Sequence, residues 1–114
     1  VDVNPKTLVI YETVTGKEPF NDWLNGLKDK RVKATVDARL IRVRKGNLGL
    51  CRSLGEGLWE LKFDLGPGFR IYFGQHGDSI VVLLHGGDKK RQSRDIETAK
   101  MYWLDYLKDQ GIKS

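Results

Sequence analysis

Glu60, Lys62, Arg70 and His85 fall within one stretch, Gly57–Arg91, that reads GLWELKFDLGPGFRIYFGQHGDSIVVLLHGGDKKR. Two cations, a carboxylate and an imidazole are the side chains of a site that holds an anion beside groups able to exchange a proton. Whether they meet depends on strand register. Two tight turns divide the stretch into three strand-like runs, Leu58–Phe63, Phe69–Gln75 and Ser79–His85. Trp59, Leu61, Phe63, Phe69, Ile71 and Phe73 alternate with Leu58, Glu60, Lys62, Arg70 and Tyr72, the period-two pattern of a half-buried antiparallel sheet. Pairing Phe63 with Phe69 keeps facing residues on one side and sets Lys62 opposite Arg70, with Glu60 as the diagonal neighbour. A two-residue turn at Gly77-Asp78 would set Arg70 opposite His85. A row Lys62–Arg70–His85 would then cross three strands, and the Arg70 guanidinium would point away from the apolar interior into an open groove. Like charges directly opposite each other are destabilising. An anionic ligand would relieve that, and so would a solvated face on which Glu60 neutralises Arg70; the pattern admits both.

The elements that must carry this meander follow from the rest of the chain. Thr7–Val14, rich in β-branched and aromatic residues, predicts a first strand. Pro19 and Asp22 suit a helix's first turn, and Phe20, Trp23, Leu24 and Leu27 recur on one helical face. A second helix is expected over Lys30–Lys45, with Val32, Val36, Leu40 and Val43 as its apolar stripe, stopped by Gly46 and Asn47. The two should form a hairpin on the aromatic face of the sheet. Asn47–Gly57, with three glycines, reads as a loop. Ser79–His85 is almost continuously apolar, as a central strand is, and the first strand is its free neighbour. Gly86-Gly87-Asp88-Lys89-Lys90-Arg91 reads as a sharp turn whose amides and cations could hold a phosphate or simply be solvated. Ser93 is placed to cap a last helix with Asp95 and Glu97 in its first turn, a stripe of Ile96, Ala99, Trp103 and Leu107, and a stop at Gly111. Met101 and Tyr102 lie off that stripe. The expected fold class is α+β: a small, mostly antiparallel sheet, made of the N-terminal strand plus a three-strand meander, with a helical hairpin on one face and a C-terminal helix.

The sequence of 114 residues suits one domain, and 20 Lys and Arg against 15 Asp and Glu give a net charge of +5. Between Lys30 and Arg52 the cations, Arg42, Arg44 and Lys45 among them, are interrupted by a single acid, Asp37. Such a block favours an acidic partner, nucleic acid or protein, or merely coats a solvated helix. No apolar run approaches the length of a membrane span, and no leader pattern is evident. The lone Cys51 excludes a disulfide framework, reads as a packed small hydrophobe, and fits a reducing compartment, so the expectation is cytoplasmic. Phosphate-loop, dinucleotide and serine-elbow motifs are lacking, and so is any zinc-ligand spacing, so neither a metal nor a cofactor is expected.

With GLWELKFDLGPGFRIYF followed by IVVLLHGGDKKRQSRDIETAK, nearly the whole chain resembles the RelE/HigB/ParE superfamily of toxin–antitoxin toxins, and most closely its phage-derived, HigB-like addiction-module-killer branch. The resemblance implies a RelE-like fold and a small ribonuclease that cleaves messenger RNA, often on the ribosome, without a metal. It also implies a cognate antitoxin, usually with a helix-turn-helix region. Arg70 matches the active-site arginine of the middle strand, Lys62 the basic residue of the strand before it, and Lys89 and Lys90 the cations after the last strand. Several such toxins carry a functional tyrosine near the C-terminus; Arg91–Glu97 holds none.

For attack of a 2′-hydroxyl on phosphorus, the resemblance gives Arg70 the transition-state charge. Glu60 becomes the candidate base, and His85 an acid or base with an ordinary pKa near neutrality. Lys62, Lys89 and Lys90 hold the RNA backbone, and Arg91 and the helix cations Arg42, Arg44 and Lys45 extend that surface. The same fold serves gyrase inhibition of the ParE kind and a non-catalytic RNA- or partner-binding module, so fold does not choose among them.

Overall fold

The computed structural model describes residues 5–111. It is an α+β arrangement of one five-stranded mixed sheet between two helical layers. Strands β1 (Thr7–Ile10), β2 (Cys51–Gly55), β3 (Leu58–Lys62), β4 (Phe69–His76) and β5 (Ile80–Asp88) lie in the order β1-β5-β4-β3-β2. The β1–β5 pair is parallel and the other pairs are antiparallel. Helices α1 (Pro19–Gly26) and α2 (Lys30–Arg44) cover one face, and α3 (Gln92–Asp109) covers the other. No helix among the described residues is long and apolar enough to cross a membrane.

The period-two pattern explains the first face. Leu61, Phe63, Ile71, Phe73, Val81 and Leu83 meet Phe20 of α1 and Val32, Val36 and Val43 of α2 in one buried cluster. The expected helical hairpin on the aromatic face is therefore present. Asp29 caps α2, accepting from the Arg31 backbone N–H at 2.9 Å. Gly46 ends that helix at φ +96°.

The second face differs from the expectation of a polar, partly solvated surface. Leu58, Tyr72, Val82 and Leu84 are covered by Ala99, Trp103 and Leu107 of α3. Two strand glycines let large groups settle onto the sheet here. A Cβ at Gly74 would lie 2.2 Å from the Trp103 ring, and one at Gly87 would lie 2.0 Å from Asp95 Oδ2. Gly86 does the same on the first face for Trp23, at 2.3 Å. Gly86 and Gly87 are thus strand residues within β5, not the phosphate-holding turn that their sequence suggested. They are glycines because side chains from both helical layers occupy the space where their own would be.

Three further boundaries depart from the sequence reading. The first strand stops at Ile10 instead of Val14. Asn47–Gly57 is not all loop: Cys51–Gly55 forms edge strand β2, joined to β3 by the two-residue turn Glu56-Gly57. Both turn residues have positive φ, 53° and 85°, the requirement for a turn that matches strand twist. The Trp103 indole donates to the Glu56 carbonyl at 2.9 Å and helps hold that conformation. Finally, α3 begins at Gln92, and Ser93 is not its cap. A 3-10 turn, Lys89–Arg91, precedes it, and Asp88 accepts from the Arg91 N–H at 3.3 Å.

The β4–β5 register also moved. The connecting loop has three residues, since His76 pairs with Ile80, and a bulge between Tyr72 and Phe73 adds one more offset. Tyr72 therefore faces His85, and Arg70 faces Gly87. Two single-residue offsets restore the original face, so His85 keeps the side of the sheet expected of it but sits two register pairs away from Arg70.

Replacing Gly74 by alanine tests the α3 packing. The new methyl would overlap the Trp103 ring, and overpacking of this kind typically costs about 1–3 kcal/mol. A lowered urea midpoint is expected; an unchanged midpoint would show that Trp103 is not seated on Gly74.

Candidate functional site

Glu60 of β3 and Arg70 of β4 project from the α3 face of the sheet, where the start of α3 passes over them. With Leu50, Cys51, Arg52, Lys62 and Gln92 they line a cavity of about 350 Å³. The Lys62–Arg70 pairing expected from the sequence is the observed register.

Glu60 is the junction of the cavity. Its side chain is 3% exposed. Oε1 accepts from Arg52 Nε at 2.8 Å and Oε2 from Gln92 Nε2 at 2.9 Å. Arg70 Nε stands 3.9 Å from Oε2, a Coulombic contact too long for a hydrogen bond. Arg52 and Gln92 were not singled out from sequence as site residues. Had Cys51–Gly55 been recognised as a strand, the alternation of Arg52 and Leu54 against Cys51 and Ser53 would have placed Arg52 beside Glu60, its register partner.

Arg70 corrects a central expectation. Its guanidinium does not stand out in an open groove; the residue is 5% exposed and forms part of the cavity wall. Nη1 donates to the Gly68 carbonyl, while Nε has no hydrogen-bond partner among the described residues. The covering comes from α3 and from the β3–β4 loop. A Cβ on Gly68 would lie 3.0 Å from Arg70 Nη1 and 3.3 Å from Lys89 Cβ, so that loop is pressed against both.

His85 lies apart from the cavity lining. Its ring stacks on Tyr72, with centroids 5.7 Å apart, and meets Tyr102 edge-on at 6.0 Å. Nε2 is 3.2 Å from Asp95 Oδ1 but outside hydrogen-bond geometry. Burial pushes the His85 pKa below its ordinary value, and the Asp95 carboxylate offsets part of that shift. Tyr72 is fully buried, and its hydroxyl has no hydrogen-bond partner among the described residues. Burial, reinforced by the Glu60 and Asp95 charges, raises its pKa, so the hydroxyl keeps its proton.

The remaining cations divide into two groups. Lys62 is an exposed residue at the cavity. Lys89, Lys90 and Arg91, also exposed, line with Gln92, Ser93 and Arg94 an adjoining depression of about 610 Å³. Gln92 is common to both hollows. Arg42, Arg44 and Lys45 are not part of this assembly. The valine stripe of α2 seats on the aromatic face, so its cationic coat belongs to the layer opposite the one that carries Glu60 and Arg70. Arg39 of that helix is engaged locally, donating to the Lys62 and Leu50 carbonyls and lying 5.1 Å from the Phe63 ring centre. Cys51 packs against the first core as expected, and burial raises its pKa.

The fold and cavity define a small α+β protein with a nearly buried arginine beside a buried carboxylate, next to a cationic surface. Residues 22–102 match the family described as "Phage derived protein Gp49-like (DUF891)". A Haemophilus influenzae protein, described as uncharacterized, is 41% identical over 95 residues, covering 83% of this chain and 92% of that relative. The chain belongs to the Gp49-like family of phage-derived proteins, a family associated with addiction-module toxins.

The His85 environment gives a pH dependence with a definite sign. Its folded pKa lies below the unfolded value of about 6.5. Across that interval the unfolded chain binds more protons, so this contribution to stability is intact above pH 6.5 and declines as the pH falls toward the folded pKa. His85→Gln is expected to remove that part of the acid sensitivity in urea titrations at stepped pH. An NMR titration placing the His85 pKa above 6.5 would reverse the sign and refute the assignment.

Proposed function

We propose that this protein is the toxin of a type II toxin–antitoxin pair, held inactive by a cognate antitoxin, and that it cleaves messenger RNA at the Arg70 cavity, in association with the ribosome. Family membership supports the addiction-module setting. The reading rests on one observation above the others: a nearly buried arginine at a cavity wall, beside a buried carboxylate that does not hydrogen-bond it, with Arg52, Lys62 and the Lys89–Arg91 turn close by.

In this reading the RNA 2′-oxygen attacks the adjacent phosphorus and the bond from phosphorus to the 5′-oxygen breaks. Charge accumulates on the non-bridging oxygens, and Arg70 meets it from a largely desolvated position, where a fixed cation acts most strongly. Glu60 takes the 2′-hydroxyl proton once Arg52 turns from it toward the substrate. The leaving 5′-oxygen receives its proton from the Lys62 ammonium at the edge of the cavity. His85, set among Tyr72, Tyr102 and Asp95, is assigned neither role. Lys89, Lys90 and Arg91 bind flanking phosphates; Arg42, Arg44 and Lys45 are removed from the RNA track.

A second reading is favoured by a specific observation. Both Glu60 oxygens are engaged and Arg70 is nearly covered, as in a surface that binds without cutting. Induced expression with mapping of transcript 5′ ends separates the two. Arg70→Ala should reduce cutting by at least about 10²-fold. Arg70→Lys, which keeps the charge but loses the planar fork, should recover only part of it in a folded protein. Undiminished cutting by both variants would end the assignment of Arg70. Growth arrest by the wild type without transcript cuts would favour the binding module, or the gyrase inhibitor if gyrase-dependent DNA breaks appear.

A further inference from the structure

Asp95 is a carboxylate in the first turn of a helix, ordinarily an exposed position that gains modestly from the helix dipole. Here it is 6% exposed. Its Oδ2 atom occupies the space where a side chain on Gly87 would begin, 2.0 Å from an ideal Cβ, and Oδ1 lies 3.2 Å from His85 Nε2. Gly87 is the register partner of Arg70, and His85 is the partner of Tyr72. The carboxylate therefore plugs α3 into a notch in β5 immediately beside the strand pair that carries Arg70. Three residues earlier on the same helical face, Gln92 donates to Glu60. The capping bond at this end, from the Arg91 N–H to Asp88, belongs to the preceding 3-10 turn and α3 itself has none, so Asp95 and Gln92 supply the polar contacts between its first turn and the sheet.

We propose that Asp95 is a positioning residue of the Arg70 cavity: seated on Gly87 and against His85, its carboxylate fixes the first turn of α3, and that turn sets Gln92 on Glu60 and the Lys89–Arg91 cations at the neighbouring depression. The inference rests on the reading above only in taking the Arg70 cavity as the working site. Asp95 touches no substrate; it acts through the turn that it holds.

Gly87 supplies an independent way to dislodge the same carboxylate, which makes a mutant cycle decisive. Asp95→Ala, Gly87→Ala and the double variant would be compared in the full chain by amide hydrogen exchange, by the Gln92 side-chain NH₂ resonances, and by RNA cleavage. Each single variant should speed exchange at residues 89–94 by about tenfold while the core amides of β4 and β5 keep their protection. Each should also shift the Gln92 resonances toward solvent-exposed positions. The double variant should be no worse than Asp95→Ala, because the new methyl then meets no carboxylate. In cleavage, kcat should fall by about tenfold, and affinity for a non-cleavable 2′-deoxy oligonucleotide should fall as well, because the Lys89–Arg91 cations at the neighbouring depression move with the turn. Wild-type exchange and Gln92 resonances in Asp95→Ala would overturn the proposal. So would additive losses in the double variant, or protection lost equally across β4 and β5, which would make Asp95 a general stabiliser. If the wild type cuts no RNA, the nuclease reading fails by itself; the exchange and resonance measurements still decide the role of Asp95.

Discussion

A carboxylate removed from water must find partners or lose its charge, and Glu60 finds them on three separate elements. Arg52 comes from β2, Arg70 from β4 and Gln92 from α3. The desolvation cost of an ionised group at this depth is several kcal/mol, and it is offset only while all three elements remain in place. The edge strand, the middle strand and the start of the last helix are therefore tied by one group. Net stability is a poor account of such a junction, because an apolar replacement of similar volume is often as stable. What it does provide is a fixed relation between an arginine, an exposed second arginine and the helix turn that carries the remaining cations.

Three glycines in the sheet make that relation possible. In a strand interior glycine is unfavourable, since it adds backbone entropy and contributes no packing. Gly74, Gly86 and Gly87 offset this by admitting Trp103, Trp23 and Asp95 to within van der Waals contact of the backbone. Both helical layers thereby sit close to the sheet, and α3 sits close enough for its first turn to reach Glu60. Moving the helix outward by the depth of one methyl would separate Gln92 from its acceptor. Packing on one side of β5 and the polar cluster on the other strands are in this sense a single constraint.

Much of the architecture was legible in the alternation of apolar residues, and the reasons for the remainder are physical. Trp59 to Phe73 reported the first face unambiguously, and the valine stripe of α2 identified what covers it. The second face was read as open because Glu60, Lys62, Arg70 and Tyr72 are polar at their tips; that a helix covers most of them depends on Trp103 meeting Gly74, a contact no local pattern records. The edge strand is masked because Gly49, Gly55 and Gly57 dominate its surroundings, although Gly57 lies in the turn that defines it and Gly55 immediately precedes that turn. The register of His85 was lost to a longer loop and a bulge, each worth one residue, neither with a sequence signature strong enough to outweigh the Gly-Asp turn. Arg70 and Lys62 came together as expected because their pairing depended on a single short connection. The α2 cations were separable from the site already in the sequence, since the valine stripe that seats the helix on the aromatic face puts them in the layer opposite Glu60 and Arg70.

The burial of Arg70 bears on how such a site can work. A guanidinium on an open strand would be screened by water and salt; one at a cavity wall interacts more strongly with any charge that develops before it. The resting partner must then be loose enough to be exchanged. Glu60 is 3.9 Å from Arg70 Nε, beyond hydrogen-bonding distance, whereas it bonds Arg52 and Gln92 at 2.8 and 2.9 Å. The carboxylate thus offsets the Arg70 charge without saturating its donors, and Nε remains unpartnered among the described residues. Arg52, with its side chain 59% exposed, is the partner best able to turn outward and release one Glu60 oxygen. An incoming phosphate would draw Arg52 toward itself and meet Arg70 with donor capacity already available, so that a single rearrangement at the exposed arginine couples anion binding to the freeing of the buried carboxylate.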